Sequence, residues 1–128
     1  MIEPMINQFN DTYLPGKSKD IPTLPNKAGG ELISALIDEE LLELHEALTN
    51  GDIVEAADAL ADIIYVTAQQ ARLWGFPVDA LLREVQRSNM SKLDENGEPI
   101  LSDTGKVLKG PNFSEPKILK VLQRAGFW

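Results

Sequence analysis

The sequence predicts an all-α protein, most simply a four-to-five-helix bundle completed by oligomerisation. Three observations carry that prediction. Leu, Ala and Glu dominate two stretches with helical spacing of apolar residues, Glu31 to Leu48 and Ile53 to about Trp74. Stop signals (Thr49-Asn50-Gly51, Gly75) and start signals (Asp52, Ser114) fall at the edges of such stretches. A chain of 128 residues buries only about two-thirds of its unfolded surface, so association with further copies would help it.

The elements follow in order. Pro4 suits a first helical turn, and MINQFNDTYL after it predicts a short N-terminal helix. LPGKSKDIPTLPNKAGG reads as an ordered connector, so residues 1–28 are helix plus connector. Asp52 caps the helix that Gly75 ends, and Pro77-Val78-Asp79 restarts one that runs to about Lys92. Residues 93–113 form a loop whose turn signals, Asn96-Gly97 and Asp103-Thr104-Gly105, leave room for a small hairpin. Ser114-Glu115-Pro116 reads as N-cap and first turn of a closing helix over residues 114–128, ending near Gly126. Residues 1–128 thus read as one domain.

Composition removes several function classes. The chain carries 20 acids against 12 Lys and Arg, a formal net charge of −8, which argues against a nucleic-acid partner. It has no cysteine, which excludes disulfide frameworks, zinc ribbons and thiol nucleophiles. The single His45 makes a Ser-His-Asp triad and His-rich metal sites poor readings. The start MIEPMINQFN lacks a signal-peptide pattern, and no apolar run approaches membrane-spanning length, so a cytoplasmic protein with no membrane partner is expected.

The negative charge is concentrated. Residues 28–71 hold ten acids and no Lys or Arg, whereas residues 72–128 hold nine Lys and Arg against seven acids. At about 100° per residue, Glu40 and Glu43 fall within the apolar half of their helix, beside Leu32, Ile33, Leu36 and Ala47. The next helix is apolar nearly all round, which predicts a buried helix, yet Glu55, Asp58 and Asp62 form one acidic stripe on it. Inward carboxylates on two facing helices need compensation, and neither helix carries a cation before Arg72. A hard divalent cation, Mg²⁺ with Mn²⁺ as a substitute, is the economical answer, because it prefers carboxylate oxygens and keeps waters that phosphates can replace. A di-iron bundle fails for want of Glu-x-x-His pairs, and Asp94-Glu95-Asn96-Gly97 lacks EF-hand spacing.

These residues resemble the all-α nucleoside triphosphate pyrophosphohydrolases, the MazG-like and phosphoribosyl-ATP pyrophosphohydrolase-like superfamily to which dimeric dUTPases are related. Glu39-Glu40-Leu41-Leu42-Glu43 matches its EExxE motif. The following acidic pair reads either as Glu55-Ala56-Ala57-Asp58, a literal ExxD, or as Asp58 with Asp62 ahead of Ile63-Ile64-Tyr65. The second is favoured, with Glu55 accessory. DALADIIYVT, Arg87-Ser88-Asn89-Met90-Ser91-Lys92 and Gly105-Lys106-Val107-Leu108-Lys109-Gly110-Pro111-Asn112 resemble a phage and bacterial subgroup. The resemblance spans most of residues 5–117.

What the resemblance implies is hydrolysis of a nucleoside or deoxynucleoside triphosphate to the monophosphate and pyrophosphate. Glu40, Glu43, Asp58 and Asp62 would hold Mg²⁺, while Glu39 would ligate a second ion or orient the attacking water. Glu39, Glu40 and Glu43 are thus the catalytic candidates. Asn89, Lys92, Lys106 and Lys109 would meet the triphosphate, as cations do in phosphoryl-transfer sites. Gln8 and Phe9, with Asn10, would hold the base, unless Phe9 simply packs its helix onto the bundle. A homodimer or homotetramer is expected. Two other readings stay open: an acidic helical interaction module, and a catalytically silent nucleotide-binding relative.

Overall fold

Local side chains cap the two long helices, whereas the other three begin without a local cap. The computed structural model describes residues 1–128 and contains five helices: α1 (Glu3–Tyr13), α2 (Lys27–Thr49), α3 (Ile53–Leu73), α4 (Val78–Met90) and α5 (Ile118–Arg124). The all-α architecture is therefore as the sequence predicts. A single antiparallel bridge, Leu101 to Val107, closes the small hairpin within 93–113. Asp52 caps α3 as expected, accepting from the Glu55 N–H at 3.1 Å. Helix α2 begins earlier than Glu31, because the Asn26 side chain accepts from the Gly29 N–H at 2.8 Å and starts the helix at Lys27.

The last helix corrects the sequence reading. Ser114 does not cap it. Its N–H donates to Ser91 Oγ at 2.9 Å and its hydroxyl accepts from Arg87 Nη1 at 3.1 Å, so the segment is held against the end of α4. Pro116 keeps Glu115 out of helical geometry, and α5 starts only at Ile118. Glu84 of α4 accepts the Lys117 N–H at 2.7 Å just ahead of it.

Helices α2 and α3 fold back on each other through the Asn50-Gly51 turn, and α1 packs on the C-terminal half of α3. Ile6, Ala68 and Val78 form the buried centre, flanked by Ile2, Tyr65 and Ala71. A polar clamp fixes α1 there. The Ile2 N–H donates to Asp79 Oδ1 at 3.0 Å, and the Asp79 N–H returns a bond to Glu3 Oε2 at 2.7 Å. Two helix N-termini thus cap each other across more than seventy residues, and Arg72 adds an ion pair to Glu3 at 3.3 Å. The connector between α1 and α2 covers the end of α3 through Lys19 N–H to Leu73 O at 2.9 Å and Thr23 N–H to Trp74 O at 2.8 Å. Gly75 is required at that crossing: its φ is 76°, and a Cβ would stand 2.6 Å from Ile21 O.

The expectation that α3 is buried on every side does not hold in the single chain. Ile53 is 82% exposed, Val54 72% and Ile64 64%. Only α1 and α2 lie broadly along α3, and α4 touches it over a short stretch, so the remaining apolar surface has no cover.

Glu84 makes the joint between α4 and α5 sensitive to acid. Hydrogen bonds from the Arg87 guanidinium, then from the Lys117 N–H, hold its carboxyl down to about 2 from the ordinary 4.5. A folded pKa below the unfolded one contributes stability above about 4.5, and that contribution drains away as pH falls towards 2. Protection of the amides from Val121 to Ala125, measured against the unstructured exchange rate at each pH, is expected to fall across that window in the wild type. Glu84→Gln should show faster exchange already at pH 6 and a flatter acid response; an unchanged profile would remove Glu84 from the joint.

Candidate active site

Helical periodicity places Glu39, Glu40 and Glu43 within about one turn of α2, and the α2–α3 hairpin brings Asp62 opposite them. Glu40 is the centre of this group. Its Oε2 is fully buried and has no hydrogen-bond partner, the one side-chain atom in the chain left in that state. Burial pushes the Glu40 carboxyl above its ordinary value. The charges of Glu43 and Asp62, a hydrogen bond with Glu43 and the charge of Glu39 push the same way. No cation relieves the repulsion: the ion pairs of the chain are Lys27–Glu31, Arg72–Glu3 and Arg87–Glu84.

Four of the acids named from the sequence therefore share one electrostatic neighbourhood. Asp58 and Glu55 stand apart from it, both exposed, although Asp58 lies one turn before Asp62 on α3. No three of the carboxylates form a ready-made cage. The orphaned Glu40 oxygen among unpaired carboxylates nevertheless fits a hard divalent cation, since all the donors are anionic oxygens.

The basic residues lie elsewhere in the chain. Asn89 and Lys92 line a cavity of about 390 Å³ with Met90, Leu93, Pro99 and Val107, and no site acid shares it. Lys109 places its ammonium 4.7 Å over the Phe113 ring. Lys106 stands exposed on the hairpin, with its N–H bonded to Ser102 Oγ at 3.0 Å. Gly110 is what lets this loop return, as its N–H donates to Lys92 O at 2.9 Å where a Cβ would collide with Leu93.

An aromatic pocket of about 280 Å³ opens between α1 and α3, lined by Gln8, Phe9, Tyr13 and Tyr65 with Met5 and Thr12. The Phe9 ring centroid lies 4.8 Å from that of Tyr13 and 5.5 Å from that of Tyr65. Tyr65 is one helical turn beyond Asp62, so the pocket adjoins the acidic group along α3. Tyr13 is absent from the sequence-based candidates, although its i, i+4 spacing from Phe9 already put both rings on one face. Asn10 is a correction. It is fully buried, giving its amide to Gln69 O at 3.1 Å and accepting from Gln69 Nε2 at 2.8 Å, so no group remains for a base. Its i+4 spacing from Ile6 was the available signal.

No helix is long and apolar enough to cross a membrane. No curated protein matches the chain. The family model described as phosphoribosyl-ATP pyrophosphohydrolase matches residues 8–89, well over half of the 128, and spans the second half of α1, the acidic hairpin and nearly all of α4. With an all-α architecture and acids clustered on paired helices, the chain belongs to the phosphoribosyl-ATP pyrophosphohydrolase family, whose activity is pyrophosphate hydrolysis of nucleotide-like substrates.

Proposed function

We propose that the protein is a Mg²⁺-dependent nucleoside triphosphate pyrophosphohydrolase, acting on an NTP or dNTP in nucleotide-pool housecleaning in the cytoplasm. The observation that carries this reading is the buried, unpartnered Glu40 oxygen among Glu39, Glu43 and Asp62. Glu40, Glu43, Asp58 and Asp62 would hold the ion, with Glu55 accessory and Mn²⁺ an acceptable substitute. When bound, the ion neutralises phosphate oxygens and draws charge from the reacting phosphorus. Glu39, at the exposed edge of the group, accepts a hydrogen bond from water and orients it. The water oxygen bonds to the α-phosphorus, the α–β bridging P–O bond breaks, and pyrophosphate leaves as Glu39 takes the proton.

Lys92, Asn89, Lys106 and Lys109 meet the outer phosphates, while Phe9 stacks on the base and the free Gln8 amide reads its edge. The uncovered faces of α2 and α3 support a homodimer or homotetramer. An interaction module is the weaker reading, because a partner would meet exposed charges and Glu40 Oε2 is sealed from the surface.

The test is pyrophosphate release from each common NTP and dNTP, and from phosphoribosyl-ATP, with and without Mg²⁺. Turnover of a nucleoside triphosphate only with metal is the expected result. Turnover of phosphoribosyl-ATP alone would replace the substrate class, and no turnover at all would favour a silent nucleotide-binding relative. Phe9→Ala is expected to raise KM roughly tenfold, in line with about 1–3 kcal/mol for base stacking, with kcat little changed. An unchanged KM in a folded variant would leave Phe9 as packing alone.

A further inference from the structure

One cavity belongs to neither the acidic group nor the aromatic pocket. It is an open cleft of about 500 Å³ between α4 and α5, lined by Ala80, Arg83, Glu84 and Arg87 on one side and Val121 and Arg124 on the other. Glu39, Glu40, Glu43, Asp58 and Asp62 take no part in it. We propose that this cavity is a separate anion site that takes a small organic phosphate between Arg83 and Arg124.

The charges in the cavity are of two kinds. Glu84 and Arg87 satisfy each other: Arg87 Nε donates to Glu84 Oε1 at 2.9 Å and Nη2 donates to Oε2 at 2.7 Å. The outer Arg87 donors go to Ser114 Oγ at 3.1 Å and Glu115 O at 3.0 Å. That pair is closed, and its work is to hold the segment leading into α5. Arg83 and Arg124 take part in no ion pair. They therefore leave two uncompensated guanidinium groups, one from each helix, facing one space in a protein of net charge −8. An anion held between them would be attracted by both.

The choice of ligand follows from shape and chemistry. A guanidinium presents a planar fork of N–H donors that matches phosphate oxygens in pairs, and two forks suit a dianionic phosphomonoester. Inorganic phosphate leaves most of 500 Å³ empty, whereas Ala80, Val121 and Ala125 offer apolar contact to an organic group such as a sugar or nucleoside. Because no site acid lines the cavity, binding needs no divalent metal. This separates it from the proposed catalytic site, whose substrate is held through one. A ligand bridging Arg83 and Arg124 also ties α5 to α4 beside the bond from Lys117 N–H to Glu84, so binding stiffens α5.

The experiment is calorimetric titration of the full chain in EDTA with AMP, ribose 5-phosphate, inorganic phosphate and adenosine, together with amide exchange of α5. The phosphomonoesters are expected to bind at least tenfold more tightly than inorganic phosphate, adenosine not at all, and α5 exchange to slow on binding. Arg83→Gln and Arg124→Gln should each weaken binding at least tenfold. Both residues lack protein partners, so the variants should keep the wild-type melting temperature. Undiminished binding by the folded double variant, or no binding of either phosphomonoester by the wild type, would overturn the proposal. Equal affinity for inorganic phosphate and the esters would overturn its organic part.

Discussion

Glu40→Gln is expected to cut Mg²⁺-dependent pyrophosphate release by about 100-fold or more, while raising the melting temperature of the metal-free protein. The two effects have one cause. In the metal-free chain the Glu40 carboxylate is a charge with a sealed, unpartnered oxygen beside Glu43, Asp62 and Glu39. Gln has the same shape, removes the charge and still reaches Glu43, now as a donor to its carboxylate. The sign with pH follows from the raised carboxyl of the folded state. Where both folded and unfolded chains are protonated, in acid, Glu40 costs no stability. As pH rises from the unfolded value through the higher folded one, the cost appears and reaches its full size, so the advantage of Gln grows towards neutral pH. Adding Mg²⁺ should reverse the ranking, because linkage stabilises the wild type by binding and the variant lacks the anchoring oxygen. The loss of activity reflects the several kcal/mol that a bound metal contributes to a developing charge, about 1.4 kcal/mol per factor of ten. Thermal melts at pH 5 and pH 8, with and without Mg²⁺, beside a pyrophosphate assay, read all of this. Full activity, or a variant less stable than wild type without metal, would remove Glu40 from the centre of the site.

If the chain associates through α3 as proposed, Ile64→Glu is expected to leave it monomeric at micromolar concentration. Ile64 is 64% exposed and lies with Ile2, Ile63, Leu81 and Leu82 along an apolar cleft of about 390 Å³ between α3 and α4. Soluble monomers rarely leave so continuous an apolar face open. Burying an isoleucine contributes about 1.5–3 kcal/mol, and in a symmetric dimer each substitution enters twice. A carboxylate at that position adds the cost of desolvating a charge, so dissociation should shift by at least 100-fold. Sedimentation of wild type and variant at matched concentrations decides it. A wild-type chain that sediments as a monomer would show that this face stays open.

The acids around Glu40 were legible before the fold was known. Glu40 and Glu43 follow from helical spacing against Leu32, Leu36 and Ala47, Asp62 follows from its stripe on the next helix, and Glu39 enters only through the EExxE resemblance. Local signals decided these positions, because an i, i+3, i+4 pattern fixes a face whatever packs on it. The same local logic placed the Asp52 cap and the turn at Gly75. It failed where a distant group competed for a local one. Ser114 had the chemistry of a cap, but Arg87 and Ser91 claimed its hydroxyl and N–H. Asn10 had the chemistry of a base reader, but Gln69 lies opposite it across α1 and α3.

The sequence by itself determined the helical class, the turn at Asn50-Gly51 and the boundaries of α3 at Asp52 and Gly75. These depend on propensity, capping and periodicity within a few residues. Only the tertiary structure decided that Glu40, rather than any other acid, holds the sealed oxygen, because burial depends on what the facing helix covers. It also decided which charges are already spent. Arg72 is paired with Glu3 and Arg87 with Glu84, while Arg83 and Arg124 face a common cavity unpaired. Side chains from opposite ends of the chain compete for the same partners, and no spacing rule along one helix can settle that competition.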